Sequence, residues 1–271
     1  MESTPSPVEQ VLRRDRQVVV AALALVAALA WVYTLAGVGM EMNALEMTYS
    51  ASAPMMTSDS TMSMSVPNWS VGHAGIMLTM WWVMMVAMML PSAAPTILLA
   101  AAINRRSNSD RPPYGPAGFF AAGYLLAWLC FSAVAVAAQW ALENGGQLST
   151  TMQVTSTRLT GGLLLAAGLW QLTSIKHACL RHCRSPVDYL IRHRRPGNRG
   201  ALVTGMGHGT YCLGCCWFLM ALLFAGGIMN LYWIVGLALF VLAEKVLARG
   251  VWFGRVAGVG LIVAGTVTLL L

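Results

Sequence analysis

An all-α fold is what the sequence predicts, a polytopic integral membrane bundle of about seven transmembrane helices with its N-terminus in the cytoplasm. Three observations point to it. Of the 271 residues 57% are apolar and only 10% are charged, whereas a soluble domain carries about 25% charged residues and so has polar surface enough to face water. Apolar runs of membrane length recur along the chain, and a bilayer core about 30 Å thick needs about 20 helical residues to cross it. The basic residues sit in the gaps between those runs rather than on one helical face, which is the pattern of membrane topology and argues against nucleic acid as the partner of a chain with net charge +7.

Seven apolar segments carry this reading, at 18–38, 76–102, 117–140, 159–176, 202–225, 228–247 and 251–271. The first follows a cytoplasmic tail at 1–17 and reads as a retained anchor, because its apolar run exceeds a signal-peptide core and no small-x-small site closes it. The second is rich in methionine and contains Pro91 and Pro95. The fourth is short and turns polar at Gln171, Thr173 and Ser174. The fifth and sixth are separated only by Gly226 and Gly227, which predicts a tight helical hairpin. Entering the seventh, Gly250, Gly254 and Gly258 recur four apart on one helix face, the spacing of close packing within a bundle. No internal repeat suggests an inverted-repeat transporter.

With these spans, sixteen of the 17 Lys and Arg residues fall on one side, in the tail and in the loops after the second, fourth and sixth segments, and Arg158 alone falls on the other. That side is the cytoplasm, so the C-terminus lies outside. Residues 18–271 form one transmembrane domain, with an outer Met-rich loop at 39–75 and a cytoplasmic Cys/His/Arg-rich loop at 176–201. The expected setting is the bacterial inner (plasma) membrane, with the lipid bilayer as the first partner.

The chemistry concentrates in cysteine, histidine and methionine. His208, Cys212 and Cys216 are four apart on the fifth segment and share a helix face, with Cys215 beside them. Three thiols and an imidazole make a soft ligand set that suits Cu(I) or Zn(II) and not Mg or Ca. Cys179 and Cys183 are also four apart and chelate from one face if the fourth helix runs on toward Pro186, where a helix naturally stops. They fall on the cytoplasmic side, where thiols stay reduced, which favours metal or redox use over a structural disulfide. Cys212 lies about 20 Å along its helix from Arg199 at 1.5 Å per residue. One common site would need the fifth helix to start late or the loop to fold inward, and the sequence leaves this open.

Most of the 18 methionines fall in two groups. Met77, Met80, Met84 and Met88 recur at helical spacing on the second segment, as packing or as soft ligands, of which Met84 and Met88 are the candidates. The outer loop holds Met40, Met42, Met47, Met55, Met56, Met62 and Met64, followed by His73, and reads as a metal-capturing segment. Glu244 is an acid within a span, either a group that orients His208 or an ion-pair partner of Lys245. No Gly-x-Ser-x-Gly elbow or phosphate-cradling loop is present, so an enzyme is not the favoured reading.

Over residues 70–247 the chain resembles an uncharacterised bacterial family of predicted metal-binding integral membrane proteins. The resemblance rests on the run from Trp81 to Ser92, the run from Lys176 to Pro186, the run from Tyr211 to Trp217, and Met229-Asn230 with Glu244-Lys245. It implies metal binding. The preference for copper comes from ligand softness instead. The expectation is a membrane protein that binds and relays a soft transition-metal ion, Cu(I) before Zn(II). It is collected at the outer methionines and His73, held by Met84, Met88, Cys212, Cys215, Cys216 and His208, and exchanged at Cys179 and Cys183. A membrane thiol-disulfide oxidoreductase is the first alternative. The second is an accessory or assembly subunit with a structural metal and protein partners in a larger membrane complex.

Overall fold

Lipid offers a backbone no hydrogen bonds, so apolar spans must satisfy their own N–H and C=O groups, and helices do so. The computed structural model of the chain describes residues 7–37, 43–52, 69–107, 114–149, 152–247 and 249–271. Among these it is all helical apart from one isolated bridge between Leu148 and Val154. In chain order the helices are α1 (Pro7–Ala36), α2 (Ala44–Ser52), α3 (Val71–Ser107), α4 (Tyr114–Asn144), α5 (Thr157–Leu172), α6 (Ser174–Arg184), α7 (Pro186–His193), α8 (Gly197–Gly226), α9 (Leu231–Val246) and α10 (Gly250–Leu270).

All seven expected segments are helical. Five helices, α1, α3, α4, α8 and α10, are long and apolar enough to cross a membrane, and α5 with α6 makes a sixth if that bent pair is one span. The chain is thus a multi-pass membrane protein with five or six candidate spans. The sixth segment, α9, has 16 residues, about 24 Å at 1.5 Å per residue, which is short of the hydrocarbon thickness.

The fourth helix does not run on to Pro186 as one rod. It ends at Leu172, and α6 leaves at 65°. Thr173 makes the break: extended at φ −69°, ψ 145°, it caps both helices, and its hydroxyl accepts from the Lys176 N–H at 3.2 Å. A β-branched residue with a hydroxyl suits this role, because its side chain competes for backbone groups. Pro186 does end α6, as the first residue of α7.

Glycine brings the helices together. Gly123 and Gly205 lie where an added Cβ would strike the Leu202 and Phe120 carbonyls, so α4 and α8 touch backbone to backbone. Gly254 packs on the Glu244 carboxyl and Gly258 on Gly168 and Gln171, so the glycine stripe of α10 is used inside the bundle. Gly227, at φ +95°, makes the expected hairpin between α8 and α9, and Trp233 closes over Gly226.

Side-chain contacts set the levels. Trp81 of α3 meets Gln139 of α4 and Phe224 of α8 near one end. Tyr124 meets Met89 and Cys212 further in. From Cys212 to Gly226 is 14 residues and from Tyr124 to Asn144 is 20, about 21 and 30 Å of helix, which is most or all of the hydrocarbon thickness. On the other side of that level stand α6 and α7 with Arg181, Arg184 and Arg192, against the first half of α8. The Cys212 level therefore borders the cation-bearing end of the apolar zone.

Candidate metal centre

α8 buries His208, Cys212, Cys215 and Cys216 on one side, as their spacing predicts. Cys212 is the hub. Its sulfur lies 3.0 Å from Lys245 Nζ and 3.1 Å from the Tyr124 hydroxyl, and its carbonyl accepts from the thiols of Cys215 and Cys216, each at 3.0 Å. Lys245, half-buried at the end of α9, also donates to Ser92 Oγ at 2.8 Å, so α3, α4, α8 and α9 meet at this sulfur.

The second pair of cysteines arrives because the chain folds inward, not because α8 starts late. Bent at Thr173, α6 packs along α8, and this brings Cys183 into the neighbourhood of Cys212 and Cys215. Cys179 faces Cys215 and fits over Gly214, where a Cβ would stand only 2.8 Å from its sulfur. The two sequence clusters thus lie alongside one another where α6 packs on α8. All six cysteines are free.

Glu244 is placed otherwise than expected. It neither orients His208 nor pairs with Lys245. Its carboxylate takes Lys176 Nζ at 2.5 Å and Gln171 Nε2 at 3.5 Å, all buried. The reason is the bend at Thr173, which carries Lys176 inward to the one acid at that depth. His208 packs its ring among Phe120, Tyr124 and Tyr189, and its buried Nδ1 has no hydrogen-bond partner among the described residues.

Beyond the thiols lies a polar vestibule of about 340 Å³ lined by Arg181, His182, Asp188, Tyr189, Arg192 and His193. His182 stacks on Tyr211 at 4.2 Å. Burial, then the neighbouring Tyr211 and Cys183, push the Tyr189 hydroxyl well above its ordinary pKa. It stays protonated and donates to the Thr204 carbonyl at 2.7 Å.

Met84 and Met88 are buried in α3, in line with Met77 and Met80. His73 is in the first turns of α3, not in a loop, and its ring meets Trp69 at 5.0 Å, at the end of the bundle away from the thiols. Met47 is buried in α2 rather than exposed for capture. Met40, Met42, Met55, Met56, Met62 and Met64 lie outside the described residues.

Among the described residues no three His, Cys, Asp or Glu side chains already close around an ion. Cys215 and Cys216 are turned back onto the Cys212 carbonyl, so an incoming ion must draw them off it. The donor set still fits one cargo best. Thiolates are soft, and a lysine stands ready to balance their charge.

A family model described as a copper chaperone, PpoB2, matches residues 78–268. The chain belongs to the PpoB2 copper chaperone family. Neither a curated protein nor a solved structure matches it. Copper binding and relay is accordingly its function, as the soft donors predict, and the family is one of chaperones rather than enzymes.

Sequence reasoning passed over Tyr124, Ser92, Lys176 and the role of Lys245. One signal was available. Lys176 and Lys245 are the only lysines among 17 basic residues, and both are engaged inside the bundle, Lys245 at the Cys212 sulfur and Lys176 at Glu244. A single-point ammonium suits one sulfur or one carboxylate oxygen, whereas a guanidinium is built for paired acceptors.

Proposed function

We propose that this member of the copper chaperone family carries copper as Cu(I), held by Cys183, Cys212, Cys215 and Cys216 with His208 and Cys179 beside them, and hands it on through the vestibule at α6 and α7. One observation carries the reading. The Cys212 sulfur lies 3.0 Å from the Lys245 ammonium, and α6 brings the second pair of cysteines alongside, with Cys179 seated over Gly214 of α8. Cu(I) bound by two thiolates has a net charge of minus one, and Lys245 brings the buried group to neutrality, which is what an apolar setting favours. Cys183 sits nearest the vestibule and is the natural point of exchange with an acceptor protein in the bacterial cytoplasm or inner membrane.

A disulfide-forming oxidoreductase is less well supported. Adjacent Cα atoms such as those of Cys215 and Cys216 are 3.80 Å apart, below the 4.4–6.8 Å that a disulfide usually spans.

The test is metal content. Protein purified in detergent, reduced and without oxygen, is loaded with Cu(I) and measured by elemental mass spectrometry beside a Cys212/Cys215/Cys216→Ser variant. Tightly held copper in the parent and its loss in the variant are expected. Equal retention in both removes the thiol centre.

A further inference from the structure

The opposite end of the bundle holds a second group of soft donors around an unsuitable tenant. Gln139 of α4 is fully buried, and its side-chain nitrogen donates to Glu143 Oε1 at 2.8 Å. The same nitrogen lies 3.5 Å from Met77 Sδ and 4.0 Å from Met152 Sδ. Its orientation is fixed, because Gln139 Oε1 accepts from Trp81 Nε1 at 2.8 Å. Two thioethers and a carboxylate oxygen, from three separate segments, therefore face one point. An N–H is a poor match for thioether sulfur, a weak acceptor but a ready ligand for a soft metal ion.

Two further observations concern the same spot. Met152 has φ +55°, the single non-glycine residue in the left-handed region among those described, and such strain persists only where the surroundings impose it. They do so here: its N–H donates to the Ser149 carbonyl at 2.9 Å and its carbonyl accepts from Ile228 at 3.3 Å. The other oxygen of Glu143 takes Trp69 Nε1 at 2.8 Å, and Trp69 carries His73 on its ring.

We propose that Met77, Met152 and Glu143 form a second soft-cation site, in which a monovalent ion displaces the Gln139 nitrogen. Charge sets the valence. The thioethers are neutral and Glu143 supplies one negative charge, which balances Cu(I) or Ag(I) and leaves a divalent ion uncompensated in apolar surroundings. From Met77 the buried Met80, Met84 and Met88 lead along α3 to the level where Tyr124 joins Met89 to Cys212. The site is the far terminal of the relay. The proposal takes its cargo from the preceding reading, but its geometry is independent of the thiols.

The experiment uses full-length protein in which all six cysteines, Cys130, Cys179, Cys183, Cys212, Cys215 and Cys216, are replaced by serine, with Ag(I) as a monovalent probe that does not change oxidation state. Equilibrium dialysis with elemental mass spectrometry gives stoichiometry, and the change in tryptophan emission lost on substituting Trp69→Phe and Trp81→Phe reports the two rings at the site. The thiol-depleted protein should retain an Ag(I) ion, with a change in emission that saturates at the same stoichiometry, and should not retain Zn(II). Adding Met77→Leu with Met152→Leu should abolish both signals. The same two leucines in the parent should spare the thiol-bound ion, which establishes that the variant is folded. Absence of Ag(I) or of the emission change from the thiol-depleted protein overturns the proposal, as does undiminished binding after the leucine substitutions. Failure of the thiol reading shows differently, as a parent that loses no Ag(I) when its cysteines are replaced.

Discussion

At one end of the bundle sulfur comes as thiols beside lysines, and at the other as thioethers beside a carboxylate. Cys212 is held by Lys245 and Tyr124. Met77 and Met152 surround the nitrogen of Gln139, which Glu143 also holds. The two settings are electrostatic mirror images. A thiolate brings negative charge into an apolar region and needs a cation beside it, whereas a thioether brings none and needs an anion once a metal ion arrives. The difference teaches that counter-charges must be counted with the ligands. On the two proposals, one ion would meet a strongly binding donor set near the cation-bearing end and a weaker one at the other, as a relay that captures and then commits requires.

The largest expected effect on stability breaks the comparison at its cationic side. Glu244→Gln strands the buried Lys176 ammonium, and loss of one partner of a buried pair costs about 3–5 kcal/mol. Unfolding in detergent should shift by that amount, and Lys176→Met combined with Glu244→Leu should restore most of it. A neutral Glu244→Gln would mean that this end does not depend on charge balance. Next is Lys245→Met, which should weaken Cu(I) binding about 10- to 100-fold in competition with a chromophoric chelator, the range for a group that supports a ligand, while Ag(I) binding at the thioethers stays unchanged. Equal weakening at both ends would erase the distinction. Tyr124→Phe removes one hydrogen bond to Cys212 and should cost about 1 kcal/mol of copper affinity, again at the thiol end alone. Smallest is Met152→Gly. Relief of the left-handed strain offsets the added chain entropy, so stability should stay within about 1 kcal/mol of the parent, while the thioether end loses its ion.

Much of this was legible in the sequence because it follows from local periodicity. The apolar runs marked the helices, the spacing of His208, Cys212 and Cys216 marked one face, and Gly226-Gly227 marked the hairpin. That α6 would lie with its cysteines alongside those of α8 was not legible. It depends on a 65° bend at Thr173, and the hydroxyl that makes it lies in a segment that also reads as the polar end of a span. The partner of Glu244 was missed for the same reason, since only that bend brings Lys176 to it. Five or six candidate spans stand where seven segments were read, because α5 and α9 have only 16 residues each. Met152 could not be foreseen: its role depends on a positive φ in a turn and on two side chains from α3 and α4.

The central claim is that Cys183 and the α8 cysteines serve one copper ion, and X-ray absorption at the copper edge tests it most directly. Copper-loaded parent protein should show Cu(I) with an all-thiolate sulfur shell, or a sulfur shell with one imidazole from His208. Cys183→Ser should remove a sulfur from that shell, and Cys130→Ser should leave it untouched. A shell dominated by nitrogen and oxygen, or one that Cys183→Ser does not alter, would contradict the account.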